Sequence, residues 1–343
     1  MKQNIAVFLV LGLASVGVGE PRVHVLEPSP KTVHISFFDA SLPPVLRVAS
    51  GDVVRLKTAS GNPRYYESLG VPRERIPSEL YAVYEGVEGA GRSDHTLTGP
   101  IHVEGAEPGD TLEVRILKID LWLPIAGQGF VPGRGVLPED FPFAHDQVHW
   151  LDIEKKTLTY ASGVVIPLAP FWGVIGVAPP PSMGRVSSGP PNVFGGNMDN
   201  RDLRPGASLF LPVHVPGALL SLGDGHAAQG YGEVCLSAIE TSLQGEIQLV
   251  VHKGQKGLEG KRLRWPRAET PTHYIAMGLH TDLDEAVKLA TRDMLDFVVE
   301  TKGLAREDAY LLLSAALDIV VTQAVDGTKG VHAFLPKAIF PGS

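Results

Sequence analysis

The sequence is poor in cysteine, aromatic residues and positive charge. Cys235 is the single cysteine among 343 residues, so no disulfide forms within the chain and the fold depends on its core. Aromatic residues make up only 7%, which argues against a polysaccharide-binding surface. Lys and Arg number 30 against 38 Asp and Glu, the formal net charge is -8, and no basic run is present. Nucleic acid is therefore excluded as a partner, because its phosphates require clustered positive charge.

Long apolar runs are also missing, apart from one at the N-terminus. After Lys2 the chain is largely apolar over residues 5–16 and then has the small residues Gly17 and Gly19. This order is typical of a secretory signal peptide. We predict a signal peptide over residues 1–19, cleaved after Gly19, with export to the periplasm or the extracellular space; a buried N-terminal helix is the alternative. The stretch is too short to cross a membrane comfortably, so no membrane association beyond export is expected.

Short β-forming runs separated by glycine and proline fill the chain from residue 23 to about residue 251. The clearest are VVRLKT (53–58), TLEVRILKIDLWL (111–123), TLTYA (157–161), SLFLPVHV (208–215) and EIQLVVH (246–252). With 28 prolines and 38 glycines in the chain, this pattern favours a β-sandwich or a β-barrel. The segment 179–196 is too rich in proline and glycine for regular structure, and a loop of that length is usually functional.

The pattern changes after about residue 270. HYIAMGLH (273–280) predicts a strand, Thr281 is the expected N-cap of a helix that ends at Gly303, and a second helix is predicted over 307–316. Two more strand-like runs follow, joined by an Asp326-Gly327 turn. We therefore predict an α+β fold, predominantly β, with a β-rich body over residues 20–270 and an α+β C-terminal portion over 271–343 packed on it.

Three segments concentrate polar residues of the types that bind metals or transfer protons. They are SDHTLTGPIHVEGAEPGD with Asp94, His95, His102 and Glu104; FGGNMDNRDLRPG with Asn197, Asp199, Asn200, Arg201 and Asp202; and SLGDGHAAQGYGE with Asp224, His226 and Glu233 among four glycines. One or two histidines with two or three carboxylates suit Zn²⁺ or a similar divalent ion with an open position for water. Such an ion would activate water for hydrolysis at neutral pH.

Plainer explanations exist for several of these residues. His102 alternates with apolar neighbours, as the polar face of a strand would, and we favour that interpretation. The NMDNRDLRPG segment is compatible with a turn in which Arg201 pairs with Asp202. Asp224 and His226 lie two residues apart, so in an extended segment their side chains share a face and suit joint ligation, although an Asx turn accounts for part of the pattern.

Other hydrolase classes receive less support. No G-x-S-x-G motif occurs, which argues against a Ser-His-Asp hydrolase of the elbow type. Cys235 lies in GEVCLSAIE, a strand-like context, and we interpret its thiol as a small buried side chain rather than a nucleophile. The non-enzymatic alternative is a secreted β-sandwich protein that binds a ligand.

Together these segments resemble the acetamidase/formamidase family. The resemblance is carried by GGNMDNRDLRPGASLFLPVHVPGALLSLGDGHAAQGYGEVCLSAIE (195–240) and HTLTGPIHVEGAEPGDTLEVRI (95–116). LPPVLRVASGDVVRL near the start and MGLHTDLDEAVKLATRDML near the end fit it as well. The resemblance implies a β-sandwich-like body, hydrolysis of short aliphatic amides such as formamide and acetamide to a carboxylate and ammonia, and a homo-oligomer, expected to be a dimer.

The resemblance also implies site residues. The motif positions that it brings to this chain are His95, Asn197, Asp199, Asp224, His226 and Glu233. We expect a divalent metal, Zn²⁺, held by ligands from Asp199, Asp224, His226 and His95, with Glu233 as the general base and Asn197 beside it as a catalytic residue. Backbone N–H groups of Gly195, Gly196 and Gly225 are the expected oxyanion donors. Tyr231 stands where the family commonly has an acidic residue.

Overall fold

Strands dominate the computed structural model, which describes residues 21–87, 95–254 and 263–341. In chain order the strands are β1 (Val23–Leu26), β2 (Val33–Ile35), β3 (Phe37–Phe38), β4 (Leu46–Val48), β5 (Val53–Lys57), β6 (Thr96–Val103), β7 (Thr111–Leu121), β8 (Ile125–Phe130), β9 (His145–Asp152), β10 (Thr157–Thr159), β11 (Val165–Pro167), β12 (Phe171–Gly176), β13 (Val186–Ser187), β14 (Gly195–Asn197), β15 (Ser208–Pro212), β16 (Leu220–His226), β17 (Glu240–Thr241), β18 (Leu243–His252), β19 (Arg267–Glu269), β20 (His273–His280), β21 (Asp318–Gln323) and β22 (Lys329–Pro336). The helices are α1 (Pro63–Ser68), α2 (Ser78–Gly86), α3 (Leu283–Lys302) and α4 (Arg306–Ala316). The predicted α+β, predominantly β class is confirmed, whereas the predicted signal peptide lies outside the described residues.

Two large sheets form the molecule. One has the strand order β1-β5-β18-β7-β15-β19-β20-β22-β21. The other follows β11-β10-β9-β8-β17-β16-β12-β14, and β6 joins it through β16 while pairing with β2 and β4. The alternation in β18, where Leu243, Gly245, Ile247 and Leu249 are buried and the residues between them are half-buried, matches a strand with one face toward a core.

The main core lies between the two sheets. It combines Val114 and Ile247 of the nine-stranded sheet with Val174, Ile175 and Leu222 of the eleven-stranded sheet. Each such side chain contributes about 1.5–3 kcal/mol through burial. A body whose sheets share one core in this way is a β-sandwich, as the resemblance implied.

The C-terminal elements extend the nine-stranded sheet. β19 pairs with β20, so the sheet continues from residue 269 to residue 273. The predicted boundary between a body that ends at residue 270 and a C-terminal portion that starts at residue 271 stays a prediction. Helix α3 packs on β20 and β22 by placing Ala286 and Ala290 against Val331 and Ala333. These contacts anchor the helix to the sheet.

Four local expectations are corrected. Asp282, not Thr281, caps α3, because its carboxylate accepts hydrogen bonds from the N–H groups of residues 284 and 285. The segment 179–196 contains β13 and the start of β14, so it is not wholly irregular. Cys235 is half-buried in a turn between β16 and β17 rather than in a strand. Arg201 donates to the Gln229 carbonyl oxygen instead of pairing with its neighbour.

Among the described helices, none is long and apolar enough to cross a membrane.

Candidate active site

Strand β12 brings two of the predicted segments together because it lies between β14 and β16. Val174 of β12 is paired with Asn197 of β14 on one side and with Gly223 of β16 on the other. At the end of the same pairing, Phe171 lies opposite His226. The residues that follow Asn197 and Gly223 therefore reach one end of the sheet.

Gly173 of β12 forms the floor of this site. A Cβ atom built on it would lie 2.5 Å from Oδ1 of Asp199, 2.6 Å from Oδ2 of Asp224 and 2.8 Å from Cε1 of His226. Its carbonyl oxygen also accepts the N–H of Asp199 at 3.1 Å. Only a residue without a side chain leaves room for three polar side chains at this point.

His226 lies at the centre of the site. Its Nε2 atom is 3.0 Å from Oδ2 of Asp224, 3.1 Å from Oε2 of Glu240 and 3.9 Å from Oδ1 of Asp199. Both the imidazole of His226 and the carboxylate of Asp199 are buried. Three carboxylates thus converge on one imidazole nitrogen.

Two of the acids at the site were not singled out from the sequence. Glu240 is paired with His226 across β16 and β17, a register that no local motif encodes. Asp326 belongs to the Asp-Gly turn before β22, where turn formation explained it, and its charge lies close enough to raise the pKa of Asp199. Both residues can be recognised only from the tertiary structure, because no local sequence motif marks them.

The cluster assembled in this way has five acids and two histidines. Its members, called here the acid-histidine cluster, are Asp199, Asp224, Glu233, Glu240, Asp326, His95 and His226.

Two further predicted residues, His95 and Glu233, have defined places, whereas Asp94 lies outside the described residues. His95 is fixed by a 2.9 Å contact between its Nδ1 and Ser188 Oγ, and its Nε2 is 3.8 Å from Oδ2 of Asp224. Glu233 offers a carboxylate oxygen within 4.8 Å of ligand atoms of Asp199 and His226. The roles of His95 and Glu233 stay predictions. His102 is a half-buried strand residue of β6, and its ring packs against Gly217.

Two of the three predicted oxyanion donors are engaged elsewhere. The N–H of Gly195 donates to the carbonyl oxygen of Asn192 at 2.9 Å, and the N–H of Gly225 donates to Ser60 Oγ at 3.1 Å. Gly196 is paired with Ile175 in the sheet. The oxyanion assignment for Gly195 and Gly225 therefore does not fit this structure.

Three of the acids have left-handed backbone conformations. The φ angles are 49° at Asp199, 56° at Asp224 and 47° at Glu233. Residues with a Cβ rarely adopt such angles, which cost of order 1–3 kcal/mol each and occur preferentially at functional sites. The backbone therefore bears strain where it presents these carboxylates to His226.

Burial and nearby charge determine the ionisation of the cluster. Burial raises the pKa of Asp199 and of Glu233 well above their ordinary values, and neighbouring carboxylates raise both further. Burial likewise raises the pKa of Glu240. Burial alone would raise the pKa of Asp224, but the charges of His226 and His95 and the hydrogen bond with His226 outweigh burial and lower the pKa to about 2. Burial alone would lower the pKa of His226, but the charges of Glu240 and Asp224 raise it.

The residues present fit a divalent cation. Both carboxylate oxygens of Asp199 are buried without a hydrogen-bond partner among the described residues. Two groups, one of Asp199, His226 and Glu233 and one of Asp224, His226 and Glu240, each place their ligand atoms within 4.8 Å of one another. Unpaired buried carboxylate oxygens are costly, and an imidazole with carboxylates is a ligand set for Zn²⁺ and related ions.

A cavity of about 970 Å³ opens onto the cluster. Its lining includes the aromatic residues Tyr65, Tyr66, Tyr84 and Phe130. Asn197 also lines it, and its Oδ1 is buried with no hydrogen-bond partner in the described part of the chain. This cavity is much larger than formamide or acetamide requires, since pockets of about 300–1,000 Å³ take drug-sized molecules.

Tyr231 lies outside the cavity that opens onto the acid-histidine cluster. Its hydroxyl donates to Oδ2 of Asp202 at 3.0 Å, and its ring lies under Arg201 and against His332. It lines a second pocket together with Asp202. The carboxylates within 3.1 Å of the His226 imidazole come from Asp224 and Glu240, so a tyrosine at position 231 leaves both contacts intact.

The fold and the site define a β-sandwich protein with a buried acid-histidine cluster at the base of a cavity. The model of the Acetamidase/Formamidase family matches residues 90–188 and 185–341, and the chain belongs to this family. It is 30% identical over 198 residues to the acetamidase of Mycolicibacterium smegmatis, covering 41% of this chain and 49% of that one. Against the formamidase of Methylophilus methylotrophus the identity is also 30% over 198 residues, with coverages of 41% and 47%. The chain thus spans about half the length of these two relatives.

Similar solved structures cover nearly the whole chain. The acetamidase of Bacillus halodurans has a TM-score of 0.76 at 31% identity, covering 92% of this chain and 98% of that chain. A recombinant predicted acetamidase/formamidase from Thermoanaerobacter tengcongensis has a TM-score of 0.78 at 29% identity, with coverages of 93% and 97%. A gamma lactamase from Delftia acidovorans, at 24% identity and a TM-score of 0.58, shares the fold.

Proposed function

We propose that the protein hydrolyses short aliphatic amides of the formamide and acetamide type to a carboxylate and ammonia, with a bound divalent cation, Zn²⁺. The observation that carries this proposal is the acid-histidine cluster, in which Asp199, Asp224 and Glu240 converge on His226 at the base of a cavity. Membership in the acetamidase/formamidase family supports the reaction class.

Asp199, Asp224 and His226, together with His95, would hold the cation. When bound, it supplies Lewis acidity that polarises the amide carbonyl. Asn197 Oδ1, which is buried and unpaired among the described residues, accepts a hydrogen bond from the substrate NH₂ group and orients the amide.

Glu233 carries the proton. It takes a proton from a water molecule as the water oxygen bonds to the carbonyl carbon. It gives that proton to the nitrogen as the C–N bond breaks, leaving a carboxylic acid and ammonia. Burial raises the pKa of Glu233 above its ordinary value, which makes its carboxylate a stronger base toward a water proton.

An ammonia-release panel tests the proposal. Formamide, acetamide, propionamide and longer amides are incubated with the purified protein, once after exhaustive chelation and once with Zn²⁺ restored. We expect ammonia from at least one amide with Zn²⁺ and a large loss after chelation. No ammonia from any amide at any metal loading would instead support a non-catalytic binding protein, and full activity after chelation would contradict the cation.

We propose further that the protein is exported and that residues 1–19 are removed. The support is the order of Lys2, an apolar stretch and small residues. Mass spectrometry of the protein recovered outside the cytoplasm of its host is expected to give a mature chain that starts at Glu20. An intact N-terminus on protein found only in the cytoplasm would contradict export.

A further inference from the structure

Gln229 connects two members of the acid-histidine cluster without belonging to it. Its Oε1 lies 2.8 Å from Nδ1 of His226, and its Nε2 donates to the carbonyl oxygen of Asp199 at 3.0 Å. Its own carbonyl oxygen accepts a 2.7 Å hydrogen bond from Arg201. Both the side chain and the backbone of Gln229 are therefore held in place.

This geometry determines the direction of the hydrogen bond to His226. A carbonyl oxygen only accepts, so the NH₂ group of Gln229 must face Asp199 and its Oε1 must face the imidazole. Because Oε1 also only accepts, Nδ1 of His226 must carry a proton. In a neutral imidazole the lone pair then resides on Nε2, the nitrogen surrounded by oxygens of Asp224 and Glu240.

We propose that Gln229 is a positioning residue that holds His226 with Nδ1 protonated and directs the Nε2 lone pair toward the cation. This inference rests on the cation in the proposed function. Hydrogen-bond acceptors behind a ligating histidine fix its tautomer and raise its basicity, and their loss typically weakens metal affinity 10- to 100-fold. The His226 and Phe171 rings also form a T-shaped contact with a centroid distance of 4.9 Å. This contact restricts rotation of the imidazole as well.

Two substitutions separate the acceptor role from simple packing. Gln229→Leu removes both hydrogen bonds, whereas Gln229→Glu keeps an acceptor for the Nδ1 proton and replaces the donor to the Asp199 carbonyl with a carboxylate oxygen. Gln248→Leu is the matched control, because Gln248 also donates to a backbone carbonyl, that of Gly51, and accepts from an arginine, outside the site. Thermal unfolding of all three variants verifies that they are folded.

Zn²⁺ affinity is measured by calorimetry on the full protein. We expect Gln229→Leu to bind Zn²⁺ 10- to 100-fold more weakly, and Gln229→Glu and Gln248→Leu to stay close to the unaltered protein. In the Zn²⁺-loaded protein, ¹⁵N NMR of labelled histidines is expected to show a protonated Nδ1 at His226, and Gln229→Leu to lose this signal. The signal is assigned with His226→Asn.

Each result decides the inference. Equal Zn²⁺ affinity of Gln229→Leu and the unaltered protein, or equal weakening by Leu and Glu, overturns the positioning role while leaving the cation proposal standing. A protonated Nε2 at His226 in the loaded protein also overturns it. If the unaltered protein takes up no Zn²⁺, both this inference and the proposed cation fail.

Discussion

At the scale of single residues, backbone strain and proton affinity coincide in the same side chains. Asp199, Asp224 and Glu233 have positive φ angles, and burial raises the pKa of the first and the last of them. Neither property improves stability, since left-handed backbone and buried acids both oppose folding. These two costs are typical of residues at functional sites, and substitutions at Glu233 test the strain and the proton affinity separately.

Glu233→Gln is expected to lower kcat for amide hydrolysis about 10²- to 10⁴-fold, because the amide neither accepts nor returns a proton. KM changes little, since the side chain keeps its size. The measurement is initial-rate ammonia release with Zn²⁺ present, and Glu246→Gln, on the outer face of β18 beside Arg55, is the control. An unchanged kcat in Glu233→Gln would refute the proton-transfer role.

The strain at Glu233 is tested with a second pair of variants. Glu233→Gly is expected to be more stable than Glu233→Ala by about 1 kcal/mol, because glycine adopts a φ of 47° without the Cβ clash. Both variants lack the carboxylate, so their difference isolates the backbone. Urea unfolding followed by circular dichroism measures it, and a more stable alanine variant would contradict the strain.

At the scale of elements, β12 and its two neighbours determine the site. The strands themselves were largely predictable, because alternation and turn residues are local properties of segments such as 53–58 and 246–252. Asp224 and His226 were also predictable, since they lie two residues apart on β16. Glu240 and Gly173 were not, because their importance arises from pairing between strands that are distant in sequence.

Gly173→Ala is expected to disrupt the site and to destabilise the protein by about 1–3 kcal/mol, because the added methyl group overlaps Asp199 and Asp224. Gly127→Ala is the matched control, as the same addition on β8 meets only ordinary contacts at 3.5 and 3.7 Å. Zn²⁺ calorimetry and urea unfolding measure both effects. An unchanged Zn²⁺ affinity in Gly173→Ala would show that the site accommodates a methyl group at position 173.

Glu113 on β7 gives the nine-stranded sheet a pH-dependent contribution. Burial opposes its ionisation, but hydrogen bonds from Arg115, His252 and Ser208 outweigh burial and lower its pKa below the ordinary 4.5. A carboxyl group with a lowered pKa in the folded state stabilises the protein above pH 4.5. This stabilisation is lost as the pH falls through the folded-state pKa. Glu113→Gln is therefore expected to cost about 1–3 kcal/mol at pH 7.

That cost should shrink progressively below pH 4.5. Urea unfolding between pH 3 and pH 7 measures the difference between Glu113→Gln and the unaltered protein. A difference that stays constant over this range would contradict the linkage.

At the scale of the whole molecule, an apolar patch adjoins the cavity. Phe141 and Phe143 in the segment between β8 and β9 are 43% and 54% exposed, and both rings contact Phe130, which lines the cavity. Contiguous exposed apolar surface is one mark of an interface between proteins. The dimer expected from the family resemblance stays a prediction, and we expect these two rings to lie in its interface.

Light scattering coupled to size exclusion is expected to give twice the mass of one chain. The double substitution Phe141→Ser with Phe143→Ser should shift the protein toward the monomer, whereas Val165→Ser, at an exposed position on β11, should not. A monomeric unaltered protein would contradict the dimer, and a dimer that survives the double substitution would place the interface elsewhere.

The nine-stranded sheet has a consequence for how the protein acquires its site. Strands from both ends of the chain, β1 and β22, belong to this one sheet, and the acid-histidine cluster draws on residues from His95 to Asp326. Contacts of such long sequence separation form slowly, because the entropy of closing long loops is lost before they contribute stability. No short fragment holds the cluster. If the chain is exported as proposed, in an unfolded state, the cluster and any cation that it holds would form only after translocation, once the last strands have joined the sheet.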